Sequence, residues 1–463
     1  MLRATLFLCL CFCLPACGSG LSTLEQVKKG GKLIVATRNG PTTYYTGRNG
    51  PAGLEHELVS LFAKDLGVDI KWVFATNHKD LLPLVTKGKV HMAAAGLSVT
   101  DARRQLVRFT PDYQTITPQL IYRLGTPRPK NLSELHGTLE VMAGSSHIEE
   151  LNRLSAEYPK LSWQENSELG SETLLYLVWE KLIDYTIAAS HEVRLTRGFY
   201  PELRIAFDLN DPQKLAWALA RSDDDSLYQE ASRFINRIRE DGTLEQLLDR
   251  YYGHVEDFDY VGTRRYLSHI NQRLPLYRDM FLRTGEQHDI DWRLLAAIGY
   301  QESHWNPEAV SPTGVRGLMM LTQNAMKDLG IKNRIDPAQS IAGGAKYFLK
   351  VKKKIPKRIQ EPDRTWLALA AYNVGFGHLE DARILAQKNG DDPDKWVSVK
   401  KYLPLLSQKK WYSQTRHGYA RGAEPVRYVR NVRTYYDILA WITDQDEPWS
   451  LEPKTFAADF SAL

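Results

Sequence analysis

The pattern of apolar residues changes character once, near residue 253, and that change limits what the chain can fold into. Before it, short runs such as Leu33-Ile34-Val35-Ala36 and Ile70-Lys71-Trp72-Val73-Phe74 read as strands. Between them, apolar residues recur three and four apart, as at Leu58, Leu61, Phe62 and Leu66 ahead of Gly67, which is the mark of an amphipathic helix with a glycine cap. Leu81 to Val85 continues as helix and Val90 to Ala95 as strand. Strands alternating with helices predict an α/β domain with largely parallel pairing. Gly125-Thr126-Pro127-Arg128-Pro129 interrupts the pattern, and a second α/β stretch runs from Leu139 to Ile205. Two lobes are therefore expected, with chain crossings near residues 120–125 and 205–210. Beyond residues 253–263, every periodic segment is helical: Leu274 to Arg283, Trp292 to Tyr300, Ala338 to Val351, Thr365 to Tyr372 and Val432 to Ile442. The 463 residues suffice for two or three domains, each with its own core.

All four cysteines, Cys9, Cys11, Cys13 and Cys17, lie at the N-terminus. The body of the chain thus offers no cysteine-ligated zinc, no thiol nucleophile and no disulfide. Arg3 followed by the apolar run Ala4 to Leu14 has the make-up of a secretory signal peptide. One reading is an ordinary cleaved signal, cut after Ala16. The other starts from Leu14-Pro15-Ala16-Cys17, which resembles a bacterial lipobox apart from Pro15. It implies removal of residues 1–16, lipid on Cys17, and a tether over residues 17–31 at the periplasmic face of the outer membrane. No later stretch reaches ~18 uninterrupted apolar residues, so the anchor would be lipid alone. From Arg265 onward there are 30 Lys or Arg against 22 Asp or Glu, net +8, while the preceding part is net −3. A basic second half points to an anionic polymer. Behind an export signal that polymer is not nucleic acid, and the Lys352-Lys353-Lys354 run reads as a solvated surface.

The first half, residues 32–255, resembles the family 3 extracellular solute-binding domains. Gly53-Leu54-Glu55-His56-Glu57-Leu58 is similar to one of their segments. Leu97-Ser98-Val99-Thr100-Asp101-Ala102-Arg103, with Val107-Arg108-Phe109-Thr110-Pro111, is similar to another. The resemblance implies a two-lobed, periplasmic-binding-protein-like fold with a ligand between the lobes. An arginine can clamp a carboxylate with paired N–H donors, which makes Arg103, Ser98 and Thr100 pocket candidates. Tyr44 is expected as an aromatic wall and Ser145 as a donor from the second lobe. A surface ion pair for Arg103 is the plainer alternative. Amino-acid binders carry an Asp after the second-lobe strand, and here Ala189 or Ser190 occupies that place. A ligand with a carboxylate and an acylated nitrogen, such as a stem peptide or muropeptide, fits that set better than a free amino acid.

Residues 256–264 are read as a linker, 265–447 as the second domain and 448–463 as a tail. In the second domain, Glu302 falls at the end of a helix that Asn306-Pro307 is expected to terminate. The negative end of the helix dipole and apolar neighbours both favour a protonated carboxyl, which is what a general acid needs. Glu302-Ser303-His304-Trp305-Asn306-Pro307, with Ala309 to Met319, resembles the first motif of the soluble lytic transglycosylases. Ala371-Tyr372-Asn373-Val374-Gly375-Phe376-Gly377 and Glu424-Pro425-Val426-Arg427-Tyr428-Val429 are similar to two further motifs of that family. With both halves, the whole chain resembles the membrane-bound lytic murein transglycosylase F family.

The resemblance implies an all-α, lysozyme-like catalytic domain of the α+β superfamily acting on peptidoglycan glycan strands. Glu302 is then the catalytic acid and base, and Ser311, Tyr372, Asn373 and Glu424 contact substrate. Met320 and Thr322 depart from the family's Gln and Met. Ser311 also reads as a turn hydroxyl, and Tyr372 and Asn373 as helix-end packing and capping. The implied reaction needs no metal and no cofactor. A lysozyme-like hydrolase and a non-catalytic glycan-binding sensor are the alternatives.

Overall fold

The computed structural model describes residues 21–443 apart from 48–49, 256–258 and 313. Cys17, the signal segment and the 448–463 tail lie outside the described residues.

The first half forms two lobes, each built on a five-stranded sheet. In the first lobe the order is Asp69–Phe74, Lys32–Thr37, Met92–Ala93, Ala218–Ala220, Val107–Phe109. The first three strands are parallel, and the last two join antiparallel. The second lobe repeats the scheme with Gln164–Asn166, Leu139–Met142, Tyr185–Ala189, Pro118–Arg123 and Leu203–Asp208. Again the first three are parallel and the others antiparallel. The expected parallel pairing thus holds within the βαβ units. It reverses at the strands through which the chain enters and leaves each lobe.

The lobes are joined by an antiparallel ladder of Gln114–Ile116 with Gln213–Leu215. The first crossing therefore precedes the expected 120–125, and Pro118–Arg123 belongs wholly to the second lobe. Gly125, at φ +96°, lies just past the end of that strand and marks no crossing.

Glu55, from the motif segment, is fully buried in the first lobe. It is satisfied there by Trp217 Nε1 and Gly96 N–H at 2.8 Å each, and by the Tyr113 hydroxyl. A buried carboxyl with three donors ties the Leu54–Leu66 helix to the sheet.

Two expected connections carry helices. Thr23–Gly30, inside the expected tether, is a helix with a Ser22–Glu25 capping box. Its Val27 is buried in the first lobe, and Leu24 N–H donates to Ser226 Oγ at 3.1 Å. Tyr260–Gln272, overlapping the expected linker, is a helix started by Asp259. Its Tyr266 and Ile270 belong to the core of the second domain. The connection shrinks to residues 253–259.

The second domain is helical, as expected, around one core that includes Phe281, Leu295, Ile298, Phe348, Leu367 and Leu379. Three helices outrun the expected spans by about a turn, Trp292–Ser303, Pro337–Lys354 and Asp363–Val374, while Ala423–Thr443 begins well over two turns before the expected Val432. The Trp292–Ser303 helix ends before Asn306-Pro307. His304 adopts the left-handed conformation at φ 52° and caps the helix itself.

The domains meet through the Thr243–Tyr252 helix. Its buried Asp249 accepts from Arg433 Nη1 at 3.3 Å and from Lys400, while Arg433 Nη2 bonds the Asp249 carbonyl at 2.7 Å. The same guanidinium lies 3.9 Å from the Trp366 ring centre. His254 pairs with Asp437 at 2.5 Å, and Phe199 packs on Trp441 at 4.6 Å between centroids.

Candidate active site

Glu302 sits in the last turn of the Trp292–Ser303 helix. Ser303 Oγ donates to the Leu318 carbonyl at 2.8 Å and accepts from Asn306 N–H at 3.1 Å. This fixes the helix end to the 317–321 loop. Gly317 (φ +91°) allows that loop to pass the Arg334 carbonyl, which a Cβ would approach within 1.9 Å. On its other side the loop packs into the Pro337–Lys354 helix, where Gly344 lies against Met319 and Ser340 Oγ accepts from Met319 N–H at 3.1 Å.

Two tyrosines complete the surroundings. Tyr428 Oη donates to Glu302 Oε1 at 2.7 Å. Tyr372 Oη donates to the Met319 carbonyl at 3.3 Å, and its ring stacks on Tyr428 at 6.2 Å. Asn431, one turn beyond Tyr428 on the Ala423–Thr443 helix, donates to Gln301 Oε1 at 3.0 Å. The Ala423–Thr443 helix thus grips the catalytic helix at two successive residues.

Burial pushes the Glu302 carboxyl up to about 7, against the Tyr428 hydrogen bond, which favours the charged form. The carboxyl therefore holds a proton over much of the neutral range, and burial rather than a neighbouring carboxylate is what raises it. Burial and the adjacent Glu302 hold both tyrosine hydroxyls well above their ordinary range, so they remain donors.

The remaining predicted residues have varied placements. Ser311 lies in a tight turn closed by Ser311 N–H to Val315 O at 2.9 Å, and its Oγ accepts from Val315 N–H at 3.0 Å. Asn373 is exposed in the last turn of the Asp363–Val374 helix. Glu424 is exposed in the first turn of the Ala423–Thr443 helix, 3.4 Å from Arg421. The residue in that motif that touches Glu302 is Tyr428, to which the sequence reading gave no role.

In the first half, Arg103 is buried between the lobes. It contacts the Ser98 carbonyl at 3.3 Å, the Gly144 carbonyl at 3.0 Å and Glu149 Oε1 at 2.6 Å, the last two from the second lobe. Thr100 caps the Asp101–Leu106 helix, accepting from Arg103 N–H at 3.3 Å. Ser145 is buried, with Oγ on the Met142 carbonyl at 2.7 Å. Tyr44 packs instead with His56, Trp72 and Phe74, at 4.9 to 5.3 Å, against the outermost strand of the first sheet.

Ala189 and Ser190 place no acid there, but Glu192 just beyond them accepts from Ala189 N–H at 3.2 Å. Glu192 and Glu172 both reach across to Arg38, at 2.5 and 3.4 Å. Burial weakens the Arg38 proton's hold, but the two carboxylates more than offset it and Arg38 stays charged. Sequence reasoning missed Arg38, Glu149, Glu172 and Glu192. The position of Glu192, three after Ala189 at a helix start, was the one readable signal.

The raised Glu302 carboxyl sets two expectations. Replacing Tyr428 with Phe removes the donor that favours the carboxylate, so the alkaline limb of the pH–rate profile moves upward. Glu302 gains protons on folding, so its share of stability falls as pH rises from about 4.5 through about 7. A Glu302→Gln chain, followed by thermal unfolding, gains stability relative to the unaltered chain between pH 5 and pH 8.

Residues 33–254 match the family model of bacterial extracellular solute-binding proteins, family 3, and residues 279–395 match that of the transglycosylase SLT domain. A membrane-bound lytic murein transglycosylase F 1 from Alkalilimnicola ehrlichii is 51% identical over 426 residues, 92% of this chain and 86% of that relative. A membrane-bound lytic murein transglycosylase F from Pseudomonas fluorescens is 51% identical over 433 residues, 93% and 89% of the two chains. Among solved structures, a cysteine-binding protein from Campylobacter jejuni is similar at 16% identity and a TM-score of 0.47, over 52% of this chain and 97% of that one. Two domain matches in this order, with half the residues shared along nearly the whole length, establish that the chain belongs to the membrane-bound lytic murein transglycosylase F family.

Proposed function

We propose that this peptidoglycan lytic transglycosylase cleaves the β-1,4 bond between N-acetylmuramic acid and N-acetylglucosamine with one carboxyl, Glu302, acting first as acid and then as base. The carrying observation is a half-buried carboxyl raised to about 7 by burial and held by a single hydroxyl donor. A hydrolase of paired acids needs a second carboxyl about 5–9.5 Å away to activate water or form a glycosyl intermediate. The acid of the third motif, Glu424, is exposed and engaged with Arg421.

Glu302 gives its proton to the glycosidic oxygen as the bond from that oxygen to the muramoyl anomeric carbon breaks. The carboxylate so formed is stabilised by Tyr428. It takes the proton of the muramoyl 6-hydroxyl as that oxygen bonds the anomeric carbon. The product is a 1,6-anhydro sugar, and no water is consumed. Holding the internal hydroxyl close supplies the effective concentration that a free nucleophile lacks.

On purified sacculi the products carry the anhydro ring, detected as fragments lighter by one water than hydrolytic ones. Glu302→Gln is expected to lower their release by about 10²–10⁴-fold. Products with reducing ends would overturn the reading in favour of the hydrolase.

The first domain is read as a receptor for a wall-derived ligand that regulates the enzyme. Arg103 is poised to hold a ligand carboxylate, and Glu149, about a third exposed, occupies that place by bonding it. A stem peptide would displace Glu149 from the guanidinium. Glu149→Ala is therefore expected to tighten binding of a stem tripeptide in calorimetry. No heat from either chain would overturn the receptor reading.

Lipid on Cys17 is read as the anchor to the outer membrane. Among the described residues, no helix is long and apolar enough to cross a membrane. Cys17→Ala is expected to move the protein from the membrane fraction to the soluble one.

A further inference from the structure

The residues from Lys409 to Arg421 include four Lys or Arg and no Asp or Glu, with Trp411, Tyr412 and Tyr419 among them. The segment is fixed, not loose. Arg416 and His417 N–H donate to the buried Asp381 at 3.2 and 2.9 Å, and Ala420 N–H donates to the Leu406 carbonyl at 3.1 Å. Gly422 closes it against the Leu403 carbonyl, which a Cβ would approach within 1.6 Å.

This segment meets the motifs around Glu302 at two points. The His417 ring packs on Gly377, where a Cβ would come within 2.8 Å of it. Gly377 ends the motif that carries Tyr372, and beside it Phe376 has the Lys354 ammonium 5.4 Å from its ring centre. At the other end Arg421 meets Glu424, and one helical turn on, Tyr428 bonds Glu302. Lys354, His417, Tyr419 and Arg421 are all exposed, and through Phe376, Gly377 and Glu424 they border the second and third motifs as a cationic and aromatic wall. Lys410 extends it, 5.4 Å from the Trp411 ring centre. Among the described residues neither Lys354 nor Lys410 has a carboxylate partner.

We propose that this wall receives the peptide stems of the glycan strand, binding their free carboxylates through Lys354, Lys410 and Arg421 and their aliphatic parts on Tyr419. The stem hangs from the muramoyl residue whose bond is broken, so a strand seated at Glu302 must lay its stem along one flank of the cleft. A flank whose Lys354 and Lys410 have no carboxylate partner among the described residues concentrates an anionic chain there. The inference rests on the transglycosylase reading and adds a peptide-recognising surface to it.

The test uses the full chain on three preparations of the same glycan strands: peptide-bearing, peptide-bearing with the stem carboxylates amidated, and stripped of peptides by an amidase. Lys354→Gln/Lys410→Gln is expected to raise KM about three- to tenfold on the first, with kcat unchanged. KM on the second and third should stay as in the unaltered chain. The effect should also shrink with added salt, since the charges are exposed. A rise of equal size on all three strands, a rise that survives amidation, or no rise on any would overturn the wall. Release of anhydro-ended fragments from stripped strands by the unaltered chain checks the transglycosylase reading separately.

Discussion

The hydrogen bond from Tyr428 to Glu302 joins the two requirements of a one-carboxyl mechanism. Burial alone would make the acid reluctant to ionise, and a strong donor alone would leave it ionised at neutral pH. Set against each other, they hold the carboxyl near 7, where either protonation state is within reach. The surrounding fold maintains that balance. The catalytic helix is stopped by His304 in a left-handed conformation, Trp305 follows at φ 56°, and Met320 on the facing loop is at φ 46°. Each such residue costs about 1–3 kcal/mol relative to relaxed backbone. Trp305 is held by full burial and a 2.8 Å bond from its indole to the Ala296 carbonyl, and the loop by the Ser303 and Ser340 hydroxyls. Strain at three bulky side chains around one carboxyl is consistent with a backbone shaped by the site rather than by local preference.

How much of this was legible in the sequence depended on the range of the interaction. Glu302 could be named because its helix, its apolar face and its motif are local in sequence. Its partner could not be singled out within Glu424 to Val429, because a motif fixes spacing but not which residue faces the neighbouring helix. Glu424 and Tyr428 differ by one turn, and only packing against the catalytic helix puts the hydroxyl inside and the acid outside. The same limit applied between the lobes. Arg103 was identifiable as a pocket candidate, while Glu149, which it bonds, comes from the other lobe. Arg38 likewise finds Glu172 and Glu192 only after the lobes close. The two misread connections have a simpler cause. Thr23–Gly30 and Tyr260–Gln272 bury few apolar residues each, so their helical period is faint until a domain core receives them.

The cationic character of the second half also gained a location. The Lys352-Lys353-Lys354 run, read first as a solvated surface, is divided by its neighbours. Lys352 pairs with Glu361 at 2.8 Å, whereas Lys354 lies over the ring of Phe376 in the second motif, 5.4 Å from its centre. Net charge alone pointed to an anionic polymer. The placement of these side chains separates a lysine paired with Glu361 from one that has no carboxylate partner among the described residues.

The Ala423–Thr443 helix carries the argument from the site to the whole molecule. Tyr428 and Asn431 hold the catalytic helix, and Arg433, two residues beyond Asn431, is bound to Asp249 of the first domain. Further on, Asp437 meets His254 and Trp441 packs on Phe199. An α-helix rises 1.5 Å per residue, so Tyr428 and Arg433 are about 7.5 Å apart along one hydrogen-bonded rod. Arg433 is buried against a buried carboxylate, and loss of one partner from such a pair is strongly unfavourable, by about 3–5 kcal/mol. A displacement of the Thr243–Tyr252 helix would reach the donor on Glu302 through two bonds and one helix. The hydrogen bond that sets the acid thus lies on the same helix as the buried ion pair with the first domain.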